Sequence, residues 1–160
     1  MSDVTLRPGT PEDAAVVADI WFDGWHPAHD GHVPNGLSER RTRAAFHERS
    51  PMRVGDTTVA EVDGEVAGFI MIVGDEVEQI YVAPSHHGRG VATVLMHEAE
   101  HRVAANGHEV AWLAVAIGNG RARAFYEKAG WTNAEDLPYE VVALGETYVS
   151  PCRRYVKKVS

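Results

Sequence analysis

Residues 57–62 and 65–73 alternate between apolar and polar on either side of Asp63-Gly64. Period-two alternation predicts half-buried strands, and an Asp-Gly pair between two such runs predicts a tight hairpin. Val4-Thr5-Leu6-Arg7 alternates in the same way and reads as a first strand, while residues 77–82 read as a further strand after the Gly74-Asp75 turn. The period then changes. Val91, Ala92, Leu95, Met96, Ala99 and Val103 recur at helical spacing, which predicts an amphipathic helix over 91–105 that ends at Asn106-Gly107. Residues 110–117 form an apolar run of buried-strand length, residues 119–129 are helical up to Gly130, and the chain from Trp131 onward reads as two strands around Gly145.

Nearer the start, Thr10-Pro11-Glu12-Asp13 is a helix-opening signal: a capping threonine, proline at the first helical position and an acid three residues after the cap. Ala14, Val17, Ala18 and Trp21 follow on one face. Residues 24–36 carry Trp25, His26, Pro27, His29, Asp30, His32 and Pro34, and they read as a loop rich in groups that could line a site. Leu37-Ser38-Glu39 opens a second helix, running to about Arg49. The resulting order, β-α-α-β-β-β-α-β-α-β-β, predicts one mixed α/β sheet with helices packed on it.

At 160 residues, the chain fits one domain over 1–160 better than two, and 44% hydrophobic residues suffice for a core. A net charge of −8 argues against general binding to nucleic acid or to anionic membranes, so any phosphate site must be local. The lone cysteine, Cys152, excludes an intrachain disulfide and fits a reducing compartment. The first residues hold no secretory apolar core, and no run reaches the roughly 20 residues that span a bilayer. A cytoplasmic protein is therefore expected.

Such a local site is visible at His87-Gly88-Arg89-Gly90-Val91-Ala92, between a strand and the long helix. Gly88 and Gly90 remove side chains at the helix start, so the N–H groups there, with those of Arg89, Val91 and Ala92, can approach an anion. The helix dipole favours negative charge at that end, and Arg89 and His87 add positive charge. The stretch lacks the lysine of a P-loop and the third glycine of a dinucleotide fingerprint.

This segment resembles motif A of the GNAT superfamily of N-acetyltransferases, Gln/Arg-x-x-Gly-x-Gly/Ala, with His87 standing where the family usually has Gln or Arg. About 30 residues on, Asn119-Gly120-Arg121-Ala122-Arg123-Ala124-Phe125-Tyr126-Glu127-Lys128-Ala129-Gly130-Trp131 resembles motif B. The element order is similar to the GNAT fold along nearly the whole chain: a single-domain, mostly antiparallel mixed sheet flanked by helices. The resemblance implies acetyl-CoA as co-substrate, no metal, and transfer of its acetyl group to a primary amine by direct attack on the thioester. It implies that the pantetheine arm pairs with the backbone of Ile80, Tyr81 and Val82, that Asn119 contacts the cofactor, and that Tyr126 lies near the sulfur.

A lysine-like amine has a pKa near ~10.4 and must lose a proton before it attacks, while a thiolate leaving group with a pKa of roughly 8.5 benefits from a proton donor. Tyr126 is the candidate acid and Glu78 the candidate base. Trp25 and Asp30 lie where the family builds its acceptor pocket; Asp30 is placed to pair with a cationic amine and Trp25 to wall the pocket. The acidic surface favours cationic acceptors by steering. The acceptor itself, a small molecule or a peptide amine, is not written in the sequence. Edge strands near the C-terminus suit a homodimer, by analogy with the family. Two alternatives stand beside this reading: an acyl-CoA-binding module without catalysis, and a zinc hydrolase. The second comes from His97-Glu98-Ala99-Glu100-His101, which matches H-E-x-x-H. Both histidines fall opposite the apolar face of their helix, and no third ligand is evident.

Overall fold

The computed structural model describes residues 3–160. Seven strands form one sheet: β1 (Val4–Pro8), β2 (Thr57–Val62), β3 (Glu65–Val73), β4 (Glu76–Val82), β5 (Val110–Ala116), β6 (Thr132–Ala143) and β7 (Glu146–Lys158). Their order is β1-β2-β3-β4-β5-β7-β6, antiparallel except between β4 and β5. The helices are α1 (Ala14–His29), α2 (Asn35–Arg40), α3 (Arg43–Arg49), α4 (Val91–Ala105) and α5 (Gly120–Lys128).

The period-two pattern sorts side chains onto two faces. Ile70 and Ile72 of β3 join Leu95, Met96, Ala99 and Val103 of α4 in one core. Their neighbours Phe69 and Met71 point the other way, into a second core with Val17, Trp21 and Trp25 of α1 and Phe46 of α3. The sheet is thus covered on both sides, with α4 on one face and α1 and α3 on the other.

The helix α4 has the span its apolar spacing predicts, and the three hairpin turns fall where expected, with Asp63 and Gly64, Gly74, and Leu144 and Gly145 at positive φ. The start of α1 is stapled as its sequence signals. Asp13 accepts from the Thr10 N–H at 2.8 Å and from two nitrogens of Arg7 at 2.7 and 2.9 Å. A 3₁₀ turn (Pro11–Asp13) precedes the α-helix proper.

Two expectations need correction. Residues 24–29 are not loop: α1 continues through Gly24 and Pro27 to His29. Pro27 lies within the last turn and costs one helical hydrogen bond, whereas the continued helix buries Trp25 at 6% exposure. The helix predicted over 37–49 is two helices. Arg41 leaves the helical region at ψ 61, and the Thr42 hydroxyl then caps α3 by accepting from the Ala45 N–H at 3.1 Å.

Candidate active site

The sheet splits at its one parallel junction. The register between β4 and β5 consists of Glu76 opposite Trp112, and Asp75 fastens it by accepting from the Trp112 backbone N–H and from its indole N–H, both at 3.0 Å. Past that point the strands diverge and leave one edge of β4 without a neighbouring strand. A β-bulge at Glu78, which falls between the pairs Gln79–Met71 and Val77–Ile72, adds to the divergence. The opening is a cleft of about 810 Å³ whose walls are β4, β5, α1 and the starts of α4 and α5. An unpaired strand edge presents N–H and C=O groups to any extended amide-bearing chain laid beside it.

Ile80, Tyr81 and Val82 line this edge. The Val82 carbonyl already has a partner: it accepts from His87 Nε2 at 3.0 Å. His87 therefore turns back onto β4 rather than over the helix start. At the helix start, Gly88 and Gly90 both have φ +77, a conformation that disfavours every other residue, and a Cβ on either would meet nothing within 4 Å. Gly90 caps α4 without a side-chain acceptor, and the first turn holds no acid. The first N–H groups of the helix, from Val91 and Ala92 onward, thus remain available to an anion, with Arg89 exposed beside them. Asn119 also lines the cleft, where its Oδ1 caps α5 by accepting from the Ala122 N–H at 3.2 Å.

Tyr126 projects from α5 into the cleft wall at 9% exposure, with Phe125, Trp131 and Tyr155 around its ring. Burial pushes its hydroxyl up to about 12, and the hydroxyl has no hydrogen-bond partner among the described residues. Tyr81 faces it: burial moves that phenol far above its ordinary value, with Tyr126 adding to the shift and Arg49 and Arg41 opposing it. Gly24 makes room for the Tyr81 ring, since a Cβ there would lie 2.4 Å from a ring carbon.

Glu78 lines the cleft at the bulge, and its Oε1 accepts from Arg53 at 2.7 Å. The second oxygen, Oε2, has no partner among the described residues. Glu76 lies nearby, raised by burial, and accepts from the Tyr139 hydroxyl at 2.7 Å. Trp25 walls the cleft and stacks on His29 at 4.3 Å. The His29 Nδ1–H donates to the Trp25 carbonyl, and burial holds the ring down at about 4, so it is neutral near pH 7. Asp30 does not join the cleft lining. It is exposed and bonded to His26 Nδ1 at 2.9 Å, outside the residues that line the cleft. The helix α1, extended past residue 24, carries it to the rim.

His97 and His101 are exposed on the outer side of α4, Glu98 holds Arg102, and Glu100 holds Lys157. Among the described residues, no group of three or more His, Cys, Asp or Glu is placed to hold a metal ion. No helix among them is long and apolar enough to cross a membrane.

Among the cleft residues absent from the sequence-predicted site are two cations, Arg41 and Arg49. A signal existed: Arg41 follows Leu37 by four positions and Arg49 follows Phe46 by three, which continues the buried faces of α2 and α3.

Residues 18–131 match the family model of the Acetyltransferase (GNAT) family. An uncharacterized N-acetyltransferase of Mycobacterium tuberculosis is 38% identical over 107 residues, covering 62% of this chain and 67% of its own length. The mycothiol acetyltransferase of Corynebacterium glutamicum is 29% identical over 119 residues, 71% of this chain but only 38% of that protein. Among solved structures, a GCN5-related N-acetyltransferase from Rhodopseudomonas palustris superposes with a TM-score of 0.79 at 28% identity, covering 99% of this chain and 97% of that one. PaiA N-acetyltransferase of Thermoplasma acidophilum, solved in complex with coenzyme A, shares the fold at 18% identity and a TM-score of 0.75, with 98% and 99% covered. A sheet split at its parallel junction, glycines opening the helix beside the split and a matching family model over most of the chain agree: this chain is a member of the GNAT acetyltransferase family.

Proposed function

We propose that this chain transfers an acetyl group from acetyl-CoA to a primary amine by direct attack of the amine on the thioester. The observation that carries the reading is the cleft itself, which combines in one continuous space an unpaired strand edge, an anion-receptive helix start and an unpartnered phenol. The free edge of β4 suits the amides of a pantetheine arm, and the N–H groups behind Gly88 and Gly90 suit a pyrophosphate. Acetyl-CoA supplies the activated acyl group and a thiolate that can leave.

The residues of the chain then have separate tasks. Glu78 Oε2 is the candidate acceptor, directly or through water, for the proton that the amine must lose. Arg53 fixes the carboxylate in place through Oε1. As the carbon–nitrogen bond forms and the carbon–sulfur bond breaks, Tyr126 is the candidate donor to sulfur. With its pKa raised to about 12, the hydroxyl is protonated at all physiological pH values. Full transfer of that proton to a thiolate of pKa roughly 8.5 would be uphill by ~5 kcal/mol. Tyr126 therefore acts as a hydrogen-bond donor that stabilises charge on sulfur as it develops, and it keeps its own proton. The proton that the amine loses to Glu78 passes on to solvent, from which the departed thiolate takes one up, so protons balance and both side chains return to their starting states.

A thiol-release assay with acetyl-CoA and a panel of amines tests the reading, with acetylated product identified by mass. Release that depends on both protein and amine is expected. Tight acetyl-CoA binding with no amine-dependent release would instead leave a binding module.

A further inference from the structure

Three arginines line the cleft, of which Arg41 is buried and Arg49 half-buried, while Arg121 is exposed. Arg7, Arg40, Arg43, Arg53, Arg102 and Arg153 each hold a carboxylate. Arg41 is 5% exposed, more buried than any of these, and has no acidic partner among the described residues; its Nε makes no hydrogen bond at all. Arg49 has no acidic partner either. What faces the two guanidinium groups is aromatic. Arg41 lies 6.0 Å from the Trp25 ring centre, and Arg49 lies 4.4 Å from Trp21 and 5.7 Å from Phe46. Burial and the neighbouring charge of Arg41 and Arg53 bring Arg49 down to about 10, which leaves it cationic at neutral pH.

A buried cation without a counter-charge is costly, and aromatic faces offset only part of the cost. Two such cations lining one cleft, each with N–H donors to spare, form a receptor for an oxyanion. That oxyanion is not the pyrophosphate of the cofactor. The pyrophosphate site lies at the start of α4, which packs on the opposite face of the sheet from α1 and α3. The carboxylates of Glu76 and Glu78 line the same cleft, where Glu78 is paired with Arg53 and lies within electrostatic reach of Arg49. The acceptor side is thus dipolar: cationic against Trp25 and Trp21, anionic at the β4 bulge.

We propose that the acceptor is a primary amine that carries its own carboxylate, an amino-acid-like zwitterion whose acid group is held by Arg41 and Arg49 while its amine points to Glu78. The assignment rests on the acyl-transfer reading above, and it reverses the preference for cationic acceptors that net charge alone suggests. A planar guanidinium fork fits a carboxylate in two parallel hydrogen bonds, so the site selects the acid group by geometry as well as by charge.

The test compares free amino acids with their carboxamides as acceptors in the thiol-release assay. A matched pair keeps the side chain and exchanges the carboxylate for a neutral amide, and rates are compared per deprotonated amine because the amide lowers the amine pKa. In the wild-type chain, kcat/KM for the acid is expected to exceed that for the amide at least 30-fold. Arg49→Met keeps an unbranched apolar stem and is expected to bring that ratio below threefold, with the acetyl-CoA Kd within twofold of wild type. Equal use of acid and amide by the wild-type chain would overturn the proposal while leaving acyl transfer intact. So would an Arg49→Met variant that keeps the wild-type ratio, or a stronger preference for an aminoalkyl phosphonate than for either. Absence of turnover with any amine would instead remove the acyl-transfer reading, and the proposal with it.

Discussion

Gly90→Ala separates the strain of a left-handed residue from the function of the helix start. At φ +77, an alanine is disfavoured by ~1–2 kcal/mol. In a chain of this size that is worth roughly 2–8 °C in Tm. The added methyl meets nothing within 4 Å of the protein, so no packing penalty is added. The methyl does enter the space through which an anion would reach the first N–H groups of α4. Loss of one charge-assisted hydrogen bond, ~1.5–3 kcal/mol, would weaken CoA binding by roughly 10- to 150-fold. Gly107→Ala is the matched control, because Gly107 also has positive φ, +91, and open surroundings, but it follows the far end of the same helix. Both variants should lose similar thermal stability by calorimetry. Only Gly90→Ala should lose affinity for CoA by titration calorimetry. If the two bind CoA equally well, the helix start does not hold the pyrophosphate and the placement of the cofactor is wrong.

Three further outcomes are expected. Tyr126→Phe should lower kcat about 10- to 100-fold with little change in the KM for acetyl-CoA, since it removes a donor and no volume; steady-state kinetics decides, and unchanged kcat would end the assignment to sulfur. Glu78→Gln should lower kcat/KM for the amine by about 10²-fold at neutral pH while leaving CoA affinity intact, and wild-type turnover would show that the amine sheds its proton elsewhere. Asp13→Asn should cost ~2 kcal/mol at pH 7, because the Arg7 hydrogen bonds, against some desolvation, hold the Asp13 carboxyl down at about 2. The folded pKa is depressed, so that contribution is complete above about pH 4 and is lost as pH falls toward 2. Urea titrations of the two proteins should differ at pH 7 and converge near pH 2; a constant gap would refute the linkage.

Much of this fold is legible in the sequence, because local rules and burial agree there. The span of α4 follows from Val91, Leu95, Met96, Ala99 and Val103 alone. The three hairpins follow from turn residues that accept positive φ, and the Thr10–Asp13 staple from its spacing. The errors arise where burial overrides a local breaker. Gly24 and Pro27 argue for a loop, yet Trp25 gains more from the second core than the proline loses, and Gly24 is kept small by the ring of Tyr81 rather than by a turn. Conversely, the helix predicted over 37–49 breaks because Thr42 competes for a cap.

The site divides in the same way. The glycine-opened helix start was legible because glycines at positive φ there have a backbone reason that is visible in sequence. The acceptor half of the site was not, because Arg41 and Arg49 look like surface cations until packing shows them against Trp25 and Trp21 without acids beside them. Asp30, whose charge the sequence puts forward, lies at the rim and bonds His26.

The most direct measurement is the time course of free thiol released from acetyl-CoA by the purified chain, with and without an amino acid acceptor, alongside mass analysis of the acceptor. The account predicts release that rises with acceptor concentration, saturates, and matches mole for mole an acceptor heavier by one acetyl group. Thiol release that is indifferent to the acceptor, with no acetylated product, would contradict it.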